Sequence, residues 1–133
     1  MNIERALTAR LLASPILNPQ IGNRVVWSAK DGKAALPSIT LSMAGEDRVY
    51  NHDSADDLQS ARIQFDVRST RYDDVATISR LVLSEMEKSD TKLGIKMLSA
   101  ELVYSADDDA ETTGSGTVVL KRIMDFMVSY RSA

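Results

Sequence analysis

Residues Ala61–Lys88, ARIQFDVRSTRYDDVATISRLVLSEMEK, decide how this chain folds. In the first part Ile63, Phe65 and Val67 alternate with Arg62, Gln64, Asp66 and Arg68, the period of two expected of a half-buried strand. At Tyr72-Asp73-Asp74 the period changes. Val75, Ile78, Val82 and Met86 then share one helical stripe, with Thr77, Arg80, Ser84, Glu87 and Lys88 opposite. Asp73 and Asp74 stand where a helix start favours a capping oxygen and negative charge. A strand therefore feeds an amphipathic helix that can fold back over it.

Upstream, Ile3, Leu7 and Leu11 predict a helix over residues 2–13, stopped by Ser14-Pro15. Leu12 points off that stripe toward a second surface. Short strands follow at Arg24–Ser28 and Ser38–Met43, separated by a Lys30-Asp31-Gly32-Lys33 turn. Residues 44–60 read as a long polar loop. Downstream, Ser89–Gly94 reads as a connection before a strand at 95–105, with Leu98, Ala100, Leu102 and Tyr104 toward the core. An acidic loop is expected at 106–117. The strand at 118–131 puts Met124, Phe126, Val128 and Tyr130 inward. The predicted order is α-β-β-β-α-β-β: a single two-layer α+β domain spanning 1–133, its mostly antiparallel sheet carrying two helices on one face.

Composition narrows the function. At 133 residues the chain fits one domain, and its 44% apolar and 26% charged shares are ordinary for a soluble protein. No apolar run approaches the roughly 20 residues of a membrane span. No secretory signal is expected either, since Pro15 breaks the first apolar stretch. Cysteine is absent, which excludes disulfides and thiol chemistry. The net charge of −3 argues against nucleic-acid binding by the whole molecule. Nine of the 19 acids lie in 44–60 and 106–117 with one of the 16 basic residues, leaving the remaining body with 15 basic and 10 acidic groups, formally +5. Glu46, Asp47, Asp56, Asp57, Asp107, Asp108, Asp109 and Glu111 are thus candidate partner-facing acids.

No catalytic pattern appears. His52, the one histidine, stands beside Asp53 without a Gly-x-Ser-x-Gly elbow. An EF-hand counted from Asp107 needs Gly at Thr112 and Glu at Val118; from Asp109 it reaches Gly114 and then fails at Leu120. No metal or cofactor is expected, and an enzyme is the weakest reading. Arg62, Arg68, Arg71, Lys121 and Arg122 form a basic row without the aromatic interleaving of a single-strand platform, so ion pairing across strands or between subunits is the better reading. Leu81 and Leu83 widen the helix's apolar arc to about 200°. Ile123 and Met127 make the last strand apolar on its outer face. These four are candidate subunit-interface residues.

The helix ending in Ser14-Pro15, Arg24-Val25, the strand opened by Leu36-Pro37, the Ile63-Phe65-Val67 strand, the Tyr72 turn, the Val75–Met86 helix and two strands around an Asp-rich loop occur in an order that resembles the tail-completion proteins, or tail terminators, of long-tailed bacteriophages. The resemblance implies a structural subunit of a hexameric ring that caps the head-proximal end of the tail tube. Such a ring stops tube polymerisation and joins the major tail tube protein to the head connector, without catalytic residues. DNA would pass through it without specific binding, and the acidic loops would either face partners or line the lumen, where their carboxylates would repel the DNA backbone. Prophage remnants and gene transfer agents use the same part. The implied place is the virion tail, assembled in the bacterial cytoplasm with no membrane involved. The alternatives are a head-completion or stopper ring on the capsid side, and a small nucleic-acid-binding or regulatory α+β domain.

Overall fold

The alternation at 61–67 becomes the middle of a much longer strand. A computed structural model describes residues 2–28, 35–50 and 55–133, with the side chains of 48–50 and 55–57 outside that description. The turn at 30–33, His52 and Asp53, and the side chains of Asp56 and Asp57 therefore lie outside the described residues. The elements in chain order are α1 (Ile3–Ala13), α2 (Asn18–Ile21), β1 (Val25–Trp27), β2 (Ser38–Tyr50), β3 (Ala55–Ser69), α3 (Tyr72–Met86), β4 (Asp90–Lys92), β5 (Ile95–Thr112) and β6 (Val118–Ser132).

The strands form one mixed sheet in the order β1-β2-β3-β6-β5-β4. β1 runs parallel to β2 and every other pairing is antiparallel. The α+β class and mostly antiparallel sheet agree with the sequence. The arrangement differs in detail: α2 and β4 are additional short elements, and the sheet curls into a half-barrel instead of lying as one flat layer under another. α1 accounts for part of that shape, since it touches both β1 and β4, the strands at opposite ends of the sheet order.

Ile63, Phe65 and Val67 are fully buried, as are Ile78 and Val82 of α3, so the two periodicities meet as expected. Phe65 and Phe126 pack edge to face with ring centroids 5.1 Å apart, a geometry aromatic quadrupoles favour. Ile3, Leu7 and Leu11 bury the α1 stripe in the same cluster. Asn2 caps α1 by accepting from the Arg5 amide at 3.0 Å. At α3 the position just outside the helix is Arg71, with no side-chain cap. Asp73 and Asp74 instead supply first-turn charge, and Asp74 accepts from the Ser69 hydroxyl at 3.0 Å.

Three sequence readings need correction. Both segments expected as acidic loops are largely strand: β2 and β3 extend the first hairpin through 38–50 and 55–69, and β5 continues to Thr112. In the described parts of these arms, Ala44–Asp47 and Asp107–Thr112 are exposed on both faces, so nothing imposes the alternation by which strands are recognised. On β5 the expected inward set is only half right. Ile95 and Met97 are buried, Ala100 and Leu102 pack against the core, and Tyr104 is 53% exposed. Register shifts between Met97 and Ser99 and between Leu102 and Tyr104 exchange the two faces, as an inserted residue must. The expected 89–94 connection contains β4, turned into β5 through Leu93 and Gly94 at φ 49° and 78°.

Candidate assembly surfaces

Two hairpin arms leave the core at opposite ends. Gln59 of β3 aligns with Tyr130 of β6, so the β2–β3 turn lies at that end. Ser69 aligns with Leu120, which places the β5–β6 turn at the other. The polarity follows from antiparallel pairing in the central three strands.

The face of the sheet away from the hydrophobic cluster carries a ladder of charge. Arg62 pairs with Asp125 at 2.8 Å, with Asp125 only 7% exposed. Arg68 reaches Glu111 at 3.2 Å, and Lys121 reaches both Asp108 at 3.1 Å and Glu111 at 3.3 Å. For Lys121, burial pulls the pKa down, but bonds to Asp108 and Glu111 outweigh it and hold the ammonium above its usual value. A bond from Lys121 likewise holds Asp108 below the usual carboxylate range. Exposed pairs of this kind contribute little singly, but a shared network fixes the geometry of the arm.

On the helix side, Arg122 donates from Nε to Asp107 at 2.7 Å, and Tyr72 donates to the same carboxylate at 2.7 Å. Arg122 also donates to the Tyr72 hydroxyl at 2.7 Å, with its guanidinium 5.6 Å from the ring centroid. Bonds from Arg122 and then Tyr72 hold Asp107 below the usual carboxylate range. The same contact with Asp107 raises Arg122. The root of the β5–β6 arm is thereby tied to the start of α3.

The basic row is thus paired across strands within one chain at Arg62, Arg68, Lys121 and Arg122. Among the candidate acids, Asp107, Asp108 and Glu111 hold Arg122, Lys121 and Arg68, and Glu46 accepts from the Tyr130 hydroxyl at 3.0 Å. Asp47 and Asp109 are exposed. The four candidate interface residues do not form one patch. Leu81 and Leu83 flank α3 and pack against the core, whereas Ile123 and Met127 are half-buried on the opposite face of the sheet, aligned with Asp66 and Arg62.

Sequence reasoning passed over three features. A groove of about 340 Å³ lies along the outer side of α1, lined by Arg5, Thr8, Leu12, Trp27 and Leu93. The off-stripe position of Leu12 signals it. The Trp27 indole N–H donates to the Thr8 hydroxyl at 2.7 Å and holds the groove wall. Second, Arg10 is 1% exposed, although its place between Leu7 and Leu11 marks it as facing inward. Third, Val103 and Tyr104 are exposed on a strand that β4 pairs with only at Ile95–Met97.

No family model matches the chain, and no curated protein matches it. Among solved structures, the chain is similar to one described as "Virion of native gene transfer agent (GTA) particle", at 13% identity and a TM-score of 0.61, over 98% of this chain and 95% of that one. The two chains share a fold over almost their whole lengths.

Proposed function

We propose that this chain is a non-enzymatic structural subunit of a phage-like particle, forming the ring that ends a tail tube and joins it to the head connector. The observation that carries the reading is the pair of arms at opposite ends of one sheet, because a ring between two stacked assemblies needs a contact element toward each. Its fold, shared end to end with a chain of a gene transfer agent virion, supports the same class of role. The weak singular motifs of the sequence add order and spacing to that likeness.

The arms' charge chemistry fits contact more than catalysis. Asp107, Asp108 and Glu111 are held by the chain's own Arg122, Lys121 and Arg68, so the β5–β6 arm presents a stiff, nearly charge-balanced surface. Such a surface gives DNA phosphates little to hold, since durable contact needs unpaired cations. The proposed mechanism is one of shape: a subunit end that matches the last tube ring, and no exposed end on which another tube ring can grow.

The test is reconstitution. Purified protein mixed with purified tail tubes is expected to sit at one end of each tube and to halt further growth when free tube subunit is added. Binding to capsid connectors with no affinity for tubes would transfer the role to the capsid side, and binding to neither would end the proposal.

A further inference from the structure

We infer that the outer edge of β5, residues 99–106, pairs antiparallel with the outer edge of β2, from Ser42 to Asp47, in a second copy of this chain. The inference rests on the ring reading only in taking the partner to be another copy; the edges themselves are read from the fold.

β4 covers β5 only at Ile95–Met97, and the Ser89 hydroxyl takes the Leu98 carbonyl. β1 covers β2 only at Ile39–Leu41. Among the described residues, the remaining lengths of both strands have no ladder partner on their outer sides. An edge left open is a template for another strand, and proteins that must avoid such pairing place charge or proline along it. Here Ser99–Ala106, SAELVYSA, carries one charge, Glu101, and neither Pro nor Gly. It exposes Val103 and Tyr104 at 46% and 53%. Ser42–Gly45 is uncharged as well. Acids mark the ends of the paired stretches, Glu46 and Asp47 closing the β2 edge and Asp107–Glu111 following the β5 edge, where they limit how far the two edges can slide past each other.

Strand direction selects the partner. β2 and β6 run one way, β3 and β5 the other. When copies are related by rotation about a common axis without inversion, β5 of one meets β2 of the next in antiparallel sense. Both edges are then used once per subunit, a head-to-tail contact that closes where the rotation closes. Main-chain hydrogen bonds supply the attraction, and Val103 and Tyr104 are buried at the seam.

Cysteine is absent, so introduced thiols are unambiguous. In the double variant Ser42→Cys/Tyr104→Cys the two thiols of one chain are separated by three strand spacings, about 14 Å along the sheet. That is beyond disulfide reach, which ends near ~7 Å between Cα atoms. A short bismaleimide or mild oxidation is expected to give a ladder of cross-linked dimers and higher species from the double variant, and monomer from either single variant after denaturing electrophoresis. In the cysteine-free background, Val103→Lys/Tyr104→Lys, two exposed positions whose fold is checked by circular dichroism, is expected to raise the concentration needed for assembly roughly tenfold or more. Cross-linking of a single variant to itself would overturn the head-to-tail pairing. A native-mass oligomer that survives the lysine pair, with no ladder from the double cysteine variant, would overturn the edge inference while leaving the ring intact. A monomer that gives no ladder overturns it too, and tube-end binding then judges the ring separately.

Discussion

The Arg10 guanidinium donates to the Glu85 backbone carbonyl at 2.5 Å, joining two residues 75 positions apart in sequence. It also bonds the Lys88 carbonyl. α3 has no basic residue in its last turn, so α1 supplies the cation that its C-terminal carbonyls favour. Burial lowers the Arg10 pKa, opposed by Asp90 and Glu85, whose carboxylates lie 4.0 and 3.9 Å from Nε. Those two ion pairs are long; the carbonyl bonds are the stronger tie. Arg10→Ala would remove the guanidinium from both carbonyls, while the Glu85 carboxylate would keep the Ser14 hydroxyl at 3.1 Å and the Lys88 ammonium at 3.7 Å. A loss of about 3–5 kcal/mol is expected from denaturant unfolding. Arg10→Lys keeps the charge but not the fork, and should recover part of that loss.

Phe65→Ala tests the centre of the core. It removes one ring of the 5.1 Å pair from a site with no exposure, where the neighbours on β6 and α3 can close in only partly. The expected cost is about 3–5 kcal/mol, read as a fall in denaturation midpoint at unchanged slope.

Acid should loosen the β5–β6 arm before the core. Asp107 and Asp108 are both held below their usual value of 3.8. A depressed carboxylate contributes stability that is complete above its unfolded pKa and disappears as pH falls through its folded one. Amide exchange at residues 107–122 is therefore expected to accelerate as pH drops below about 3.8, relative to the core amides of β3.

Tyr72→Phe separates the hydroxyl's part from that of Arg122. Asp107 keeps the Arg122 bond and loses one of two side-chain donors, so its pKa should rise toward 3.8 in a carboxyl-detected titration. The change in global stability should stay under about 1 kcal/mol, because the site is exposed. An unchanged Asp107 titration would remove the tyrosine from this network.

Leu93 sits at φ 49° and is 65% exposed, an arrangement that costs a branched side chain roughly 1 kcal/mol or more. Leu93→Asn, better suited to that backbone, is expected to raise stability by about 1 kcal/mol. A loss instead would show that the leucine's contacts along the α1 groove outweigh the strain.

The parts of this fold legible in sequence are those where one side is dry. Ile63–Val67, the Val75–Met86 stripe and Met124–Tyr130 each face the core on one side only, so period and burial coincide. On β5 the alternation breaks at the bulges after Met97 and Leu102, and no residue type announces either, so plain alternation places Tyr104 inside. The arms are strands without a buried face and read as polar loops. The tie from Arg10 to the end of α3 depends on a pairing across most of the chain, which local pattern does not encode. For the surfaces, the sequence points to cross-strand pairing of Arg68 and Lys121 as a class but not to their acids, because nothing in the local pattern of Asp107–Glu111 marks them as strand.

The strand order also sets a timetable. β6 lies between β3 and β5, yet follows both in the chain. Until residues 118–132 have left the ribosome, the sheet has two separate halves and no middle, and α3 has nothing complete to lie against. Before β6, synthesis can yield only the β1–β2–β3 piece, the short β4–β5 pairing and isolated helices, none of which holds a complete core. Folding must wait for distant segments to meet, which places it among the slower topologies. A chain in which residues 118–132 are not yet in place therefore offers two unjoined pieces of sheet, and the fold gains its centre last.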